Sequence, residues 1–432
     1  MKRLALRGRL LDFMDDPALA GAAACCRYFD DGILLIENGR IVEVGEAAQI
    51  LEKLGDATLV DHRPHLIMPG FIDTHLHFPQ TQVIASYGAQ LLEWLQKYTF
   101  VEEQKFADTV HADRHAAFFL DELARNGTTT AAVYCSVHAQ SADSLFAESH
   151  RRNMRMVAGK VMMDRGAPDA LLDTAQRGYD DSKALIARWH GRGRQLYAVS
   201  PRFALTSTRE QLDAAGALIG EHPDCYLQTH LAENRAEIAA ALALYPDARD
   251  YTHIYEKAGL LGEKSLFGHC IHLSERELGA LHDRKSVAVF CPTSNLFIGS
   301  GLFDLAKTRA AARPVRVGVA TDIGGGTSYS MLQTLAEAYK VLQLQNQNFP
   351  ALDAFYAITR GNARALSLDG VIGSFDTGAE ADLVVLNARA TPSMAHRMET
   401  VETLEEELFV LMMLGDDRAV AETYVMGEGV AC

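Results

Sequence analysis

Short apolar runs alternate with longer amphipathic stretches through the middle of the chain. This alternation is typical of repeated strand–helix units that build a parallel sheet. Predicted strands cover residues 66–73, 128–134, 155–162, 196–200, 226–230, 266–269, 287–291 and 315–322, and predicted helices between them include 112–125, 170–189, 209–221 and 235–245. Because about eight such units close a barrel, we expect an α/β fold of the TIM type, a (β/α)8 barrel.

The two ends of the chain show a different pattern, with short β-rich runs at residues 4–10, 32–45, 381–387 and 423–430. Asn38-Gly39 divides the run 32–45 into two β-rich halves and predicts a hairpin turn, because both residues accept positive φ angles. We therefore expect the ends to pair into a small, discontinuous β-sandwich domain, residues 1–64 and 374–432. This domain would flank a hydrolase barrel over residues 65–373.

Length and composition are those of a globular protein with a large core: 432 residues, of which 48% are hydrophobic and 22% charged. The formal net charge of −15 argues against nucleic acid or an anionic membrane as the main partner and favours a small neutral molecule. No apolar run is long enough for a membrane span or the core of an export signal. Seven cysteines without a Cys-x-x-Cys pair favour a reduced, cytoplasmic protein.

The stretch from Met68 to Gln80 ends an apolar run on His75-Leu-His77. Side chains alternate along a strand, so the two histidines project to the same side. Imidazole nitrogens bind zinc and other borderline divalent ions well. Such pairs also occur on protein surfaces, and a metal site requires further ligands elsewhere in the chain.

Further ligand-type residues end later predicted strands: His230 the fifth, His269 the sixth and Asp322 the eighth. Reactive groups of a (β/α)8 barrel gather at the C-terminal ends of its strands, so these residues are predicted to join the histidine pair in a metal site. Glu233 follows His230 by three residues, where the chain should turn into the next loop, and is predicted to face the same cavity and transfer protons. The alternative for Glu233 is a solvated acid at a helix N-terminus.

These motifs resemble the amidohydrolase superfamily, in the subgroup with one metal. The family pattern Pro-Gly-Phe-x-Asp-x-His-x-His lies at Pro69 to His77, and His230 with Glu233, Gly268-His269 and Thr321-Asp322 follow in the family order. The resemblance implies one divalent ion per subunit bound by His75, His77, His230 and Asp322. It also implies catalytic roles for Glu233, His269 and Asp322, with Glu233 moving protons and His269 positioning water.

Zinc is the usual metal of these proteins, and the same ligands also suit iron or manganese. Subgroups with two metals bridge them by a carboxylated lysine at a strand end. Lys160 lies inside the third predicted strand, and we expect it to be structural. Gly324-Gly-Gly326 lacks the lysine and the spacing of a phosphate-binding loop, so we expect close backbone approach there.

Substrate contacts are predicted at the same C-terminal ends of the barrel strands. Gln80 follows the histidine pair and offers an acceptor and two donors, while Arg202 and Phe203, at the end of the fourth strand, offer a donor fork and a flat apolar face. Together they suit a flat heterocycle that carries a carbonyl. The alternatives are a rim salt bridge for Arg202 and a core position for Phe203.

Three stretches together resemble the guanine deaminase family: His75-Leu-His-Phe-Pro-Gln80, residues 87–100, and Ser200-Pro-Arg-Phe203. The resemblance implies a homodimer that hydrolyses guanine to xanthine and ammonia, with activated water attacking C2. It implies purine contacts from Gln80, Arg202, Phe203, His230, Glu233 and Asp322. Val101 departs from the proline of many members.

Two alternatives remain open from the sequence. One is another deaminase of the superfamily acting on a related ring, such as 8-oxoguanine, a pterin, cytosine or a triazine. The other is a catalytically inactive scaffold of the same fold, which would be expected to have lost metal ligands.

Overall fold

The computed structural model describes residues 3–88 and 90–430, without the side chains of residues 22 and 23. Residues 1, 2, 431 and 432 of the predicted terminal domain, and residue 89 in the stretch 87–100, lie outside the described residues. Within the described ranges, no helix combines the length and apolar character needed to cross a membrane.

The strands, numbered in chain order, are β1 (Arg3–Phe13), β2 (Cys26–Glu37), β3 (Arg40–Glu46), β4 (Thr58–Pro69), β5 (Phe71–His77), β6 (Thr128–Tyr134), β7 (Arg155–Gly159), β8 (Val161–Met162), β9 (Leu196–Pro201), β10 (Tyr226–Leu231), β11 (Ser265–His269), β12 (Val287–Phe290), β13 (Arg316–Val319), β14 (Leu383–Leu386), β15 (Val420–Val425) and β16 (Glu428–Gly429).

The α-helices are α1 (Pro17–Ala20), α2 (Ala22–Cys25), α3 (Ala47–Ile50), α4 (Leu91–Trp94), α5 (Phe100–Glu103), α6 (Thr109–Arg125), α7 (Ala139–Arg151), α8 (Ala175–Trp189), α9 (Arg209–Glu221), α10 (Arg235–Leu244), α11 (Tyr251–Lys257), α12 (Glu275–Asp283), α13 (Pro292–Phe297), α14 (Leu305–Thr308), α15 (Met331–Gln343), α16 (Ala351–Tyr356), α17 (Asn362–Ala365), α18 (Pro392–Arg397) and α19 (Leu404–Leu414). Short 3-10 segments lie at Leu51–Lys53, Phe78–Val83, Gln104–Ala107, Asp169–Leu171, Met398–Thr400 and Asp417–Ala419, and π-helical turns at Leu95–Thr99 and Ala357–Gly361.

Eight parallel strands form a nearly closed barrel in the order β5-β6-β7-β9-β10-β11-β12-β13, and β8 pairs with β9. The two edge strands approach through backbone hydrogen bonds from Asp322 N to His75 O (2.9 Å) and from His77 N to Ile323 O (2.6 Å). Every residue of β5 and β6 is buried, as expected for parallel strands that are covered on both faces. The predicted barrel is confirmed.

Apolar side chains fill the barrel interior away from the C-terminal strand ends. They include Ile72, Ala132, Val157, Ala198, Tyr226, Leu266, Val287 and Ala320. A second and larger cluster packs the outer faces of the strands against the helices. The polar residues at the strand ends therefore stand on a tightly packed, rigid base.

The chain ends build a second, mixed sheet in the order β16-β15-β14-β4-β1-β2-β3, with β1 and β4 parallel. Asn38 and Gly39 form the turn between β2 and β3 with φ angles of 51° and 79°, as the hairpin prediction requires. The predicted pairing of the two chain ends is thus confirmed.

Gly70 divides the predicted strand 66–73 between the two sheets. Its N–H donates to Asp382 O in the terminal module (2.8 Å), and the next N–H, of Phe71, donates to Gly127 O beside the barrel (2.9 Å). A Cβ at Gly70 would lie 2.4 Å from Oγ1 of Thr129, so only glycine fits this crossing. The prediction of one strand was wrong here, because the apolar run continues through a change of sheet.

Two other predicted strands are shorter in the structure. The run 155–162 is interrupted at Lys160, between β7 and β8, and β13 ends at Val319, three residues before Asp322. Most predicted helices lie where expected, and α9 matches its prediction residue for residue. Helix α8 begins five residues late, because the Thr174 side chain caps it by accepting from Arg177 N.

Buried ion pairs join the barrel to the terminal sheet. Arg155 Nη2 lies 2.7 Å and Arg194 Nη2 lies 2.8 Å from a carboxylate oxygen of Glu380, and Arg194 also pairs with Asp382. All four side chains are less than one-tenth exposed. Removal of one carboxylate would leave buried positive charge without its partner.

Candidate metal centre and substrate cavity

The His-x-His motif lies at the C-terminal end of β5, with both rings on one side and their centroids 5.3 Å apart. His230, in β10, stacks on His77 at a centroid distance of 5.1 Å. The Nδ1 of His230 donates to the carbonyl oxygen of Arg202 (2.7 Å). This hydrogen bond leaves Nε2 of His230 free to face the other histidines.

Four side-chain donors converge at this point. The Nε2 atoms of His77 and His230 are 3.1 Å apart, and Oδ1 of Asp322 lies 3.4 Å from Nε2 of both His75 and His77. Ligands bound tetrahedrally to one ion at roughly 2.1 Å are separated by about 3.4 Å from one another. The donor spacing therefore fits a single small divalent ion.

The protonation states also suit a metal site. Burial lowers the pKa of His75, His77 and His230, so the imidazoles are neutral and keep a lone pair for a ligand. Burial would raise the pKa of Asp322, but the neighbouring His75 and further histidines outweigh this effect and lower it to about 2. Neither ring nitrogen of His75 makes a hydrogen bond within the described ranges, which is rare for buried polar atoms.

The backbone turns sharply where these side chains enter the site. His269 and Asp322 have φ angles of 70° and 52°, and Ala232, just before Glu233, has 51°. Such angles strain the backbone of residues other than glycine, and this strain is found most often at functional sites. Here they occur at the ends of three barrel strands and aim the side chains at one centre.

Glu233 is 3% exposed, and its two oxygens have different surroundings. Oε1 accepts a hydrogen bond from Ser300 Oγ (2.8 Å), and Oε2 lies 3.4 Å from Nε2 of His269. Burial raises the pKa of the Glu233 carboxyl. One oxygen is therefore held in place while the other faces the centre, which suits a group that accepts and releases protons.

His269 bridges the two carboxylates of the site. Its Nε2 lies 3.4 Å from Glu233 and 3.7 Å from Oδ2 of Asp322, while its Nδ1 donates to Oδ1 of Asn295 (2.9 Å). Burial would lower the pKa of His269, but the charges of Glu233 and Asp322 outweigh this effect and raise it. The hydrogen bond to Asn295 therefore fixes the imidazole ring of His269 with its Nε2 directed at the two carboxylates.

A cavity opens above these groups. Its lining combines apolar side chains, which suit a flat ring, with polar and charged groups. It is lined by His77, Gln80, Leu91, Trp94, Leu95, Arg202, Phe203, His230, Glu233, His269, Ile298, Asp322 and Gly325. The residues predicted from the sequence thus surround one cavity, with His75 beneath its floor.

Arg202 and Gln80 share a partner that sequence reasoning missed. Both contact Glu103, at the end of α5: Arg202 Nη1 lies 2.8 and 2.6 Å from its two carboxylate oxygens, and Gln80 Nε2 donates to Oε1 (2.9 Å). The three side chains are at most 3% exposed. Arg202 thus forms a buried ion pair that borders the cavity, not a salt bridge at the rim.

Lys160 and the glycines at 324–326 were expected to have structural roles, and their positions agree with this expectation. Lys160 is fully buried and donates to Oδ2 of Asp173 (2.7 Å), away from the cavity lining. Gly325 lines the cavity, and a Cβ atom at Gly326 would lie only 1.8 Å from the backbone oxygen of Thr321. The glycines permit close backbone approach at the site.

Other residues that sequence reasoning missed are Trp94, Asn295 and Ser300. Trp94 lies inside the stretch 87–100 that carried the family resemblance, but no role was assigned to it. Asn295 lies in the first turn after β12, so the strand-end rule would have found it if extended by one turn. Ser300 reaches Glu233 from a loop with no strand pattern, and no sequence signal points to it.

The Amidohydrolase family model matches residues 66–430 of the chain. Guanine deaminase of Escherichia coli is 50% identical over 98% of this chain and 97% of its own, and a solved structure of that enzyme superposes with a TM-score of 0.95. Guanine deaminase from Bradyrhizobium japonicum gives a TM-score of 0.97 at 37% identity, over 100% of this chain and 99% of that one.

A third structure, of guanine deaminase from C. acetobutylicum with guanine bound in its active site, covers both chains fully with a TM-score of 0.88 and 27% identity. The match of the family model over most of the chain and the high identity over its full length agree with the site geometry. The chain belongs to the amidohydrolase family, and it is similar over most of its length to guanine deaminases.

Proposed function

We propose that the protein is a guanine deaminase, which hydrolyses guanine to xanthine and ammonia. One observation carries the proposal: three of the four converging metal donors line a cavity together with Glu233, Arg202 and Gln80, and the fourth donor, His75, lies next to them. The full-length similarity to guanine deaminases supports the same activity.

We assign the metal site to His75, His77, His230 and Asp322, with zinc as the resident ion, because neutral imidazoles and one carboxylate form a typical zinc donor set. A bound ion would supply Lewis acidity that lowers the pKa of water at the site. The remaining steps are assigned to residues of the chain.

Guanine binding is assigned to the cavity walls. Phe203 and Trp94 offer flat apolar surfaces to the purine, and Arg202 offers donors to its exocyclic oxygen. Gln80 forms a hydrogen bond to the neighbouring edge of the purine ring. His230, Glu233 and Asp322 line the same cavity, and we place the amino-bearing C2 of guanine beside them.

Glu233 carries the protons in this proposal. Its Oε2, which faces the centre, accepts a proton from the attacking water as the water oxygen bonds to C2. Glu233 then protonates the adjacent ring nitrogen. A second transfer moves the proton of the new C2 hydroxyl to the amino nitrogen, so the C2–N bond breaks, ammonia leaves and the C2 carbonyl of xanthine forms. His269, whose Nε2 lies near carboxylate oxygens of both Glu233 and Asp322, positions the water together with Asp322.

The discriminating experiment is a substrate panel assayed with purified, metal-supplemented protein. Guanine should yield xanthine and ammonia in equal amounts, with far lower turnover of 8-oxoguanine, pterin, cytosine and triazines. Turnover of one of those rings without ammonia from guanine would refute the proposal. No turnover of any ring would favour the inactive scaffold.

Two further properties are proposals of the same kind: a homodimer, testable by light scattering, and a cytoplasmic location, testable by cell fractionation. The division into a β-domain of residues 1–64 and 374–432 and a barrel domain of residues 65–373 is testable by limited proteolysis.

A further inference from the structure

Glu103 is a buried carboxylate for which the proposed mechanism has no role. It is 1% exposed and lies behind the cavity wall, outside the set of residues that line the cavity. Its carboxylate holds two residues that do line it, Arg202 and Gln80. Ser136 Oγ donates to its backbone oxygen (3.0 Å), so the segment that carries Glu103 is itself anchored to the barrel.

The chemistry of a carboxylate decides the orientation of Gln80. A carboxylate paired with a guanidinium accepts hydrogen bonds and donates none, so Gln80 must offer it the amide N–H group. The oxygen Oε1 of Gln80 then points away from Glu103, and Gly324 N–H lies 3.4 Å from it. Gln80 therefore keeps its amide oxygen, an acceptor, on the side away from Glu103.

The same carboxylate decides which donors Arg202 has left. Both contacts to Glu103 use Nη1, and the guanidinium lies over the Phe100 ring with its carbon 5.4 Å from the centroid. The described residues supply no hydrogen-bond acceptor for Nη2 or Nε of Arg202. These N–H groups remain for a ligand oxygen.

We propose that Glu103 is a positioning residue that sets the specificity of the cavity for a ring amide, a carbonyl next to a ring N–H. Arg202 donates to the carbonyl and Gln80 Oε1 accepts from the N–H, and Glu103 holds both in that arrangement without touching the ligand. The inference rests on the proposed function, because O6 and N1–H of guanine form such an edge. An aminopurine without the carbonyl presents neither group and leaves both residues unpaired.

The test compares two purines by calorimetry, so that it does not depend on turnover. Hypoxanthine carries the ring amide, and unsubstituted purine lacks it. In Glu103→Gln, the new side chain can donate to Gln80, whose amide is then free to reverse, and Arg202 loses its ionic partner. Hypoxanthine affinity should fall on the order of tenfold to hundredfold, as expected for loss of hydrogen bonds that involve a charged group.

Purine affinity should stay within about twofold of the wild-type value, since purine makes neither contact. With guanine as substrate, KM should rise by a larger factor than kcat falls. The matched control is Glu102→Gln, which removes a neighbouring carboxylate that pairs with Lys105 (2.6 Å) at the surface. It should leave both affinities unchanged.

A purely structural role for Glu103 would weaken both ligands equally and lower the melting temperature, and that result overturns the proposal. Unchanged hypoxanthine affinity overturns it as well. If Glu103→Gln does not fold, Glu103→Asp serves, because its shorter carboxylate keeps the charge but does not reach both partners.

The two proposals fail in different ways. If the wild-type protein prefers hypoxanthine, Glu103→Gln removes the preference and guanine yields no ammonia, the positioning role stands and the deaminase assignment falls. If the wild-type protein deaminates guanine and the variant keeps the wild-type preference, only the positioning role falls.

Discussion

Ser300→Ala tests how the chain holds its proton-transfer residue. The substitution removes a single hydrogen bond, from Ser300 Oγ to Glu233 Oε1 at 2.8 Å. Ser300 and Glu233 are 5% and 3% exposed, so little water is available to replace the lost donor. A buried hydrogen bond to a charged group contributes about 1.5–3 kcal/mol.

If that energy is lost only in the transition state, kcat should fall roughly 10- to 150-fold. The pH profile should move as well. The Ser300 hydrogen bond stabilises the charged form and opposes the burial that raises the pKa of Glu233. Its removal raises that pKa further, so the acidic limb of the kcat/KM profile should shift to higher pH.

The assay is steady-state release of ammonia from guanine between acidic and neutral pH, with bound metal measured in each variant. Ser300→Thr retains a hydroxyl and should recover most of the rate, which separates the hydrogen bond from packing. An unshifted acidic limb in Ser300→Ala, together with wild-type kcat, would refute the role assigned to this contact. Loss of the metal along with the rate would place the effect at the metal site.

Further predictions concern stability, substrate stacking and acid sensitivity. Glu380→Gln should lower the free energy of unfolding by about 3–5 kcal/mol, because Arg155 and Arg194 lose a buried partner; denaturant titration checks this, and a change below about 1 kcal/mol would contradict it. Phe203→Ala should raise KM for guanine more than it lowers kcat, because it removes a cavity wall and leaves the metal donors in place; equal effects on both constants would speak against stacking. Burial and the neighbouring His111 lower the pKa of His115 to about 4, below the ordinary value of about 6.5. The unfolded chain therefore binds more protons between these values, so this contribution to stability is complete above about pH 6.5 and is lost as pH falls towards 4. Melting curves of His115→Phe should show a smaller acid loss than the wild-type protein, and an equal loss would contradict this explanation.

The barrel was predictable because parallel strands buried on both faces leave a strong pattern, a continuous apolar run followed by an amphipathic helix. Residues at the ends of such strands, such as His230 and His269, could be placed in the site before any coordinates were known. Asp322 was also found because the predicted strand 315–322 ends on it, although β13 itself ends three residues earlier and Asp322 follows with a positive φ angle.

Contacts between distant loops were not predictable in this way. Glu103 and Ser300 reach the site from segments without a strand pattern, and their partners lie 99 and 67 residues away in the chain. The break at Gly70 was missed for a related reason, since hydrophobicity does not record a change of sheet. Packing in three dimensions, rather than local pattern, determines these features.

The central claim is that His75, His77, His230 and Asp322 hold one ion that guanine deamination requires. The most direct measurement is guanine turnover followed during metal titration of the chelated protein, with bound metal determined at each point. The account predicts that activity rises in proportion to bound metal and levels off at one ion per chain, and that His77→Ala binds the ion weakly and stays inactive. Full ammonia release from guanine by the metal-free protein, or none by the protein with one ion bound, would contradict it.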